Sequence, residues 1–330
     1  MQITVLGAGA WGTALAAALA PRHPVILWAR DAAAPASIAA TRRNERYLPG
    51  IELPQALRCT SELPEAVAHA RHGLLLVATP TAALRNLLRQ LGAIAGLPPI
   101  VWLCKGLERG SAAMAHEIVR DELGSHPAGP LAGPSFAQEV AKGLPTALAV
   151  AGHDSFCRRV TEALHGAALR IYSTRDVVGV EVGGAVKNVL AIATGICDAL
   201  ALGHNARAAL ITRGLAETSR LGLALGAATQ TFMGLTGAGD LILTCTGELS
   251  RNRQVGLMLG RGLPLQEALE RIGHVAEGVW SAPAVHQRAA ALGVRMPITE
   301  AVCAVLEGQA SPRRALEGLL SRQPGREAPE

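Results

Sequence analysis

The sequence predicts an α/β protein, with a mostly parallel, helix-covered sheet over residues 1–176 and an all-helical domain over residues 177–320. Three observations carry this expectation. Short apolar runs alternate with helical patterns up to about residue 172. Beyond residue 176 the strand signal fades, and long Ala/Leu/Gly-rich stretches with 3.6-residue periodicity continue to Leu320. The length of 330 residues, at roughly 150 per domain, accommodates two domains.

In chain order, strands are expected at 3–6, 25–28, 74–78, 100–104, 147–151 and 169–172, where apolar runs of strand length are bounded by turn residues. Helices are expected at 11–20, 81–91, 112–123 and 155–165, several closed by glycine or proline. Crossovers between parallel neighbours joined through such helices are almost always right-handed. The segment 321–330 contains two prolines, one glycine and several charges, and reads as a flexible tail.

Composition excludes several classes of function. Hydrophobic residues make up 49% and charged residues 17%, with mean hydropathy +0.26, so the chain can bury enough apolar surface to fold. The best candidate for a membrane span, 189–203, is short and carries Asp198. A strand-like run begins at Gln2 where an export signal would have its basic and apolar regions, so a cytoplasmic protein is expected. The six cysteines, Cys59, Cys104, Cys157, Cys197, Cys245 and Cys303, form no C-x-x-C pair, so reduced thiols and no metal site are expected. The net charge of +5 is interspersed and aromatic residues are only 3%, which argues against nucleic-acid binding.

The segment Gly7-Ala8-Gly9-Ala10-Trp11-Gly12 follows a strand and opens a helix. Gly7 permits the tight turn, Gly9 lets main chain approach a pyrophosphate, and Gly12 lets helix and strand pack closely. In that context G-x-G-x-x-G predicts dinucleotide binding at a Rossmann-type sheet. The second strand ends in Arg30 and Asp31. A guanidinium there can pair with a 2′-phosphate, so NADPH is the expected cofactor; the alternative is NADH, with Asp31 on the ribose hydroxyl.

Only three of the 31 cationic residues are lysine: Lys105, Lys142 and Lys187. An ammonium can surrender its proton when buried, whereas a guanidinium cannot, so these lysines are the first candidates for proton chemistry. Lys187 lies in a helical run with almost no other polar group, where burial would draw its pKa down towards neutrality. Lys187, Ala191, Thr194 and Asp198 share one helical stripe, which is expected to face a cleft. Lys105 emerges at the carboxyl end of a predicted parallel strand, where ligands bind, whereas Lys142 is expected to be merely exposed. Asp240, in a glycine-rich turn, could orient a lysine. Ser250 would cap a helix whose first turn, Arg251-Asn252, suits an anionic group.

These residues together resemble the bacterial NAD(P)-dependent glycerol-3-phosphate dehydrogenase family over about residues 3–320. The resemblance rests on Gly7 to Leu15, Lys105-Gly106-Leu107-Glu108, Gly133-Pro134-Ser135-Phe136-Ala137, Gly183-Gly184-Ala185-Val186-Lys187-Asn188, Gly239-Asp240-Leu241, Ser250-Arg251-Asn252-Arg253 and Val275-Ala276-Glu277-Gly278. It implies hydride transfer between NAD(P)H and dihydroxyacetone phosphate, giving sn-glycerol 3-phosphate for phospholipid synthesis. It also implies a homodimer and a C-terminal domain of the 6-phosphogluconate dehydrogenase C-terminal-like type. By similarity Lys187 is the proton donor, Asp240 holds its ammonium, and Lys105 adds positive charge near the reacting oxygen. Arg251 and Asn252 would hold the substrate phosphate, with Ser250 and Thr244 nearby and Gly133 and Ser135 lining the cleft. Ala10, Trp11, Arg30, Ala137, Val275 and Glu277 match dinucleotide contacts, joined by Lys105 and Arg251.

The chain departs from the pattern at two places. Ala10 replaces a common serine, removing a side-chain hydrogen bond to phosphate, and Arg30 stands where many relatives have histidine or another residue. Two alternative readings are a dehydrogenase of another hydroxy acid or sugar phosphate, and a dinucleotide-binding regulator without catalysis. The phosphate-site pattern at 250–252 argues against the first, and retention of both Lys105 and Lys187 against the second.

Overall fold

The computed structural model describes residues 1–166, 168–273 and 275–320; the expected tail at 321–330 lies outside them. The first half runs β1 (Ile3–Leu6), α1 (Ala10–Leu19), β2 (Val25–Trp28), α2 (Ala33–Thr41), β3 (Arg43–Asn44), β4 (Leu48–Glu52), β5 (Arg58–Thr60), α3 (Leu63–His69), β6 (Leu74–Val77) and α4 (Thr81–Gly92). It continues through β7 (Ile100–Trp102), α5 (Ala115–Leu123), β8 (Ala128–Ala132), α6 (Ala137–Ala141), β9 (Thr146–Ala151), α7 (Asp154–Leu164) and β10 (Leu169–Thr174). Eight strands form one sheet in the order β10-β9-β8-β7-β6-β1-β2-β5, while β3 and β4 make a separate antiparallel hairpin. The chain leaves β1 in one direction and returns at β6 on its other side, so a crevice opens at the carboxyl ends of β1 and β6.

Within the large sheet every pairing is parallel except β8 with β9. The sequence reading missed β8, because Gly129 and Pro130 are poor strand residues. Pro130 is tolerated at the changeover: residues 128–130 pair with β7, whereas Leu131 and Ala132 pair with β9. The short strands β3, β4 and β5 and the helices α2, α3 and α6 were also missed. The helix expected at 112–123 begins only at Ala115, because Ala112 has positive φ and Glu117 accepts the Met114 N–H at 2.8 Å.

The second half comprises α8 (Val177–Ala199), α9 (Gly203–Ala224), α10 (Thr229–Met233), a π-helical turn (Leu235–Gly239), α11 (Asp240–Thr246), α12 (Arg251–Gly260), α13 (Leu265–Ile272), α14 (Glu277–Ala291), α15 (Pro297–Leu306) and α16 (Pro312–Leu320). Its core is built around α8, whose Val186, Val189, Ala191, Ile192 and Cys197 are fully buried. By length and composition α8 could cross a membrane, but most of it is enclosed by the other helices. Burying a side chain such as Ile192 stabilises the fold by roughly 1.5–3 kcal/mol, and that burial dictates the helix's all-round apolar character.

The expected cleft-facing stripe on α8 is corrected by this packing. Only Lys187 reaches the site. Thr194 is 1% exposed and donates to the Ala191 carbonyl, and Asp198 is claimed by Arg207 and Arg253, because α12 lies along that face.

Candidate active site

The glycine-rich turn joins β1 to α1 at the sheet crevice. Gly12 packs so tightly that a Cβ there would lie 2.0 Å from the Gly7 carbonyl oxygen, whereas a Cβ on Gly9 would meet nothing within 4 Å. The turn is therefore closed toward the protein and open outward. No side chain caps α1, and the N–H groups of Gly9, Ala10, Trp11 and Gly12 have no hydrogen-bond partner among the described residues. Such unpaired donors at a positive helix end fit a dinucleotide pyrophosphate.

The other predicted cofactor contacts lie around this turn. Ala137 starts α6, which packs on α1. Arg30 is exposed beyond β2 and makes no ion pair among the described residues. The neighbouring Asp31 carboxylate accepts the Ala33 N–H at 3.0 Å. Val275 is exposed just before α14, and Glu277 is that helix's first residue, facing the Lys105–Gly106 main chain and Arg251. Burial pushes the Glu277 carboxyl up to about 7 despite the nearby cations.

The chemistry-bearing cluster draws on three elements distant in sequence. Lys105 arrives from the end of β7, Lys187 from the middle of α8, and Asp240 from the start of α11 after the π-helical turn. Asp240 accepts from both lysines, with Lys187 Nζ 2.5 Å from Oδ1 and Lys105 Nζ 2.9 Å from Oδ2. Lys187 also donates to Thr244 Oγ1 at 3.0 Å, and that hydroxyl donates to the Asp240 main-chain carbonyl at 2.6 Å. The side chains of Asp240 and Lys187 are 1% and 8% exposed, so water screens them weakly.

Burial opposes ionisation of Asp240, yet the two ammonium groups outweigh it and hold the carboxyl below its ordinary range. For Lys187 burial dominates. With repulsion from Lys105 it overcomes the attraction of Asp240 and brings the ammonium down to about 7. A lysine held there can give or take a proton near neutrality.

The predicted substrate side is also nearby in part. Lys105 Nζ lies 3.5 Å from the Gly133 carbonyl, which also accepts from Ser135 Oγ at 2.9 Å. Ser250 caps α12, its hydroxyl accepting the Arg253 N–H, so this side chain has a structural task. Asn252 is 8% exposed; its amide donates to Asn188 Oδ1 at 3.0 Å and accepts the Gly278 N–H at 2.9 Å. Arg251 is left as the exposed cation of that turn. Lys142 is exposed and makes no ion pair among the described residues. Sequence reasoning missed the linkage through Asn188, although the one side-chain amide of so apolar a helix, placed beside Lys187, was a readable signal. Among the described residues no cluster of three or more His, Cys, Asp or Glu could hold a metal, and the six cysteines are free.

A glycine-rich turn at a parallel sheet, together with a largely buried lysine–aspartate–lysine cluster drawn from the end of β7 and from two helices of the second half, defines an NAD(P)-dependent oxidoreductase. Comparison narrows the class. Residues 2–157 match the N-terminal model, and residues 176–317 the C-terminal model, of NAD-dependent glycerol-3-phosphate dehydrogenase. The chain is 59% identical over 327 residues to the glycerol-3-phosphate dehydrogenase (NAD(P)+) of Methylibium petroleiphilum, covering 98% of this chain and 97% of that one. It is 58% identical over 328 residues to the enzyme of the same name from Paucimonas lemoignei, covering 98% of each. Among solved structures, the glycerol-3-phosphate dehydrogenase of Coxiella burnetii superposes with a TM-score of 0.93 at 41% identity, covering 97% of this chain and 98% of that one. The chain belongs to the NAD-dependent glycerol-3-phosphate dehydrogenase family.

Proposed function

We propose that this protein catalyses the reversible, NAD(P)H-dependent reduction of dihydroxyacetone phosphate to sn-glycerol 3-phosphate, the backbone for glycerophospholipid synthesis. The observation that carries the reading is the shared carboxylate of Asp240 between Lys187 and Lys105. When bound, the dinucleotide supplies a hydride to the carbonyl carbon. Lys187 gives its Nζ proton to the carbonyl oxygen as the C–O double bond becomes single, and takes that proton back in the oxidation. Asp240 holds the Lys187 ammonium in line, Thr244 fixes it from a second side, and Lys105 places positive charge where the oxyanion develops. Arg251, with the remaining amide hydrogen of Asn252, holds the substrate phosphate, and Gly133 and Ser135 close the cleft on the Lys105 side.

For the nucleotide, Gly7, Gly9, Ala10, Trp11 and Gly12 hold the pyrophosphate, and Ala137, Val275 and Glu277 line the remainder. NADPH is the preferred cofactor. The exposure of Arg30, which makes no ion pair among the described residues, and the engagement of Asp31 with the Ala33 N–H both support that preference. The working enzyme is a homodimer in the cytoplasm, with its Rossmann domain at 1–176 and its helical substrate domain at 177–320.

The test is to mix purified protein with dihydroxyacetone phosphate and follow nicotinamide absorbance with NADPH and NADH in parallel. Oxidation of the nucleotide, with glycerol 3-phosphate recovered as product, is expected. Confirmed nucleotide binding without turnover of this ketone would overturn the substrate.

A further inference from the structure

The glycine-rich turn is held from below by a side chain outside the fingerprint. Asn44, in the β3–β4 hairpin, is 7% exposed, and its amide nitrogen makes two hydrogen bonds. It donates to the Ala8 carbonyl at 2.9 Å and to Thr13 Oγ1 at 2.8 Å. Both hydrogens of the amide are thus committed, one to the turn and one to the first turns of α1. Thr13 is fully buried and Ala8 is 9% exposed, so water competes little for these bonds.

The geometry has a directional consequence. In a trans peptide the C=O and the following N–H point in opposite directions. Fixing the Ala8 carbonyl towards Asn44 therefore aims the Gly9 N–H away from the hairpin. The Gly9 N–H has no hydrogen-bond partner among the described residues, and the space around this residue is open, since a Cβ on Gly9 would meet nothing within 4 Å. The same amide joins this peptide plane to Thr13, so the turn and the unpaired N–H groups at the start of α1 are held in one orientation.

We propose that Asn44 is a positioning residue for the dinucleotide: it does not touch the nucleotide but pre-orients the main-chain donors that receive the pyrophosphate. The inference rests on the nucleotide reading above. Pre-orientation lowers the ordering cost of binding, so its loss weakens affinity without removing a direct contact. Losing this pre-orientation is expected to raise the nucleotide Kd roughly tenfold, which corresponds to about 1.4 kcal/mol.

The experiment titrates NADPH, NADH and ADP-ribose into the wild-type protein and the Asn44→Ala, Asn44→Asp, Thr13→Ser and Thr13→Val variants. Binding is followed by nicotinamide fluorescence and calorimetry, with thermal melts and steady-state kinetics alongside. Asn44→Ala is expected to weaken all three ligands roughly tenfold, and Asn44→Asp to weaken them further, because a carboxylate would face the Ala8 carbonyl. Thr13→Ser, which keeps the acceptor, should retain affinity, whereas Thr13→Val should lose several-fold. The nucleotide KM should rise by a larger factor than kcat falls. A purely structural role would lower the melting temperature and leave the Kd of folded protein unchanged.

Wild-type protein that binds nucleotide, with Asn44 variants within twofold of it, overturns this inference alone. Wild-type protein that binds none of the three ligands overturns the nucleotide reading and this inference together. If both Asn44 variants fail to fold, the Thr13 pair decides: weaker binding in Thr13→Val than in Thr13→Ser upholds the proposal, and equal binding overturns it.

Discussion

Replacing Asp240 by asparagine removes the carboxylate that both lysines share while keeping the side chain's shape, and its effect on Lys187 has a definite sign. Asp240 Oδ1 lies 2.5 Å from Lys187 Nζ in a buried site. Unit charges at 4 Å attract by roughly 4 kcal/mol at an effective dielectric of ~20, which corresponds to about 3 pK units. In the wild-type protein Lys187 titrates at about 7. Without the carboxylate, burial and Lys105 act unopposed, and the Lys187 ammonium should lose its proton roughly two to three units lower. Reduction requires the ammonium form, so wild-type activity in that direction should fall as pH rises through about 7, while oxidation rises through the same midpoint. In the D240N protein both midpoints should move down, and ketone reduction at neutral pH should fall by roughly 100-fold or more, following the lost protonated fraction. The assay is kcat/KM for dihydroxyacetone phosphate and for glycerol 3-phosphate across about pH 5 to 9 at saturating nucleotide, with circular dichroism to establish folding. A folded D240N protein with the wild-type midpoint would refute the argument that Asp240 sets the proton state of Lys187.

Arg30→Ala should reduce the NADPH:NADH ratio of kcat/KM by roughly tenfold, the worth of a charge-assisted pair to a phosphate; an unchanged ratio would remove Arg30 from cofactor choice. Gly106→Ala should destabilise the protein by about 1–3 kcal/mol, because Gly106 has φ +128° and the new Cβ would lie 2.3 Å from Ser281 Oγ. Adding Ser281→Ala should relieve the clash but not the strained backbone, so the melting temperature of the double variant should fall between those of wild type and Gly106→Ala. Glu217 is 1% exposed and accepts the Ile298 N–H at 2.7 Å and the Thr299 N–H at 3.4 Å, capping α15 from α9. Burial raises its carboxyl to about 7, so its contribution is fully present below the unfolded value and is lost as pH rises through about 7. Glu217→Gln should abolish that part of the pH dependence, on the order of 3 kcal/mol in urea unfolding compared near pH 4.5 and pH 8; an unchanged slope would contradict a raised Glu217.

Features governed by neighbours in the chain were legible without coordinates. The apolar runs of β1, β2, β6 and β7, the helix-opening glycines, and the Ser250 cap each depend on a few adjacent residues, whose conformational limits are intrinsic. The scarcity of lysine singled out Lys105 and Lys187 because only an ammonium can be drawn to neutrality by burial. The elements that were missed have weak local signals and are held by contacts from elsewhere. β8 contains glycine and proline and is secured by pairing on both sides, and β5 is a three-residue strand that lines up on β2.

The sequence alone determined which residue types were available: a turn able to approach phosphate, two lysines able to change charge, and a helix too apolar to stay in water. Their meeting was decided by the tertiary structure. Asp240 reaches Lys187 across 53 residues and Lys105 across 135, and Asn44 reaches Thr13 across 31. It was also packing that gave Asp198 to Arg207 and Arg253 and left only Lys187 of its stripe at the site. Periodicity and propensity describe a segment by itself, whereas a pKa and a hydrogen-bond partner depend on which other segments exclude water from it.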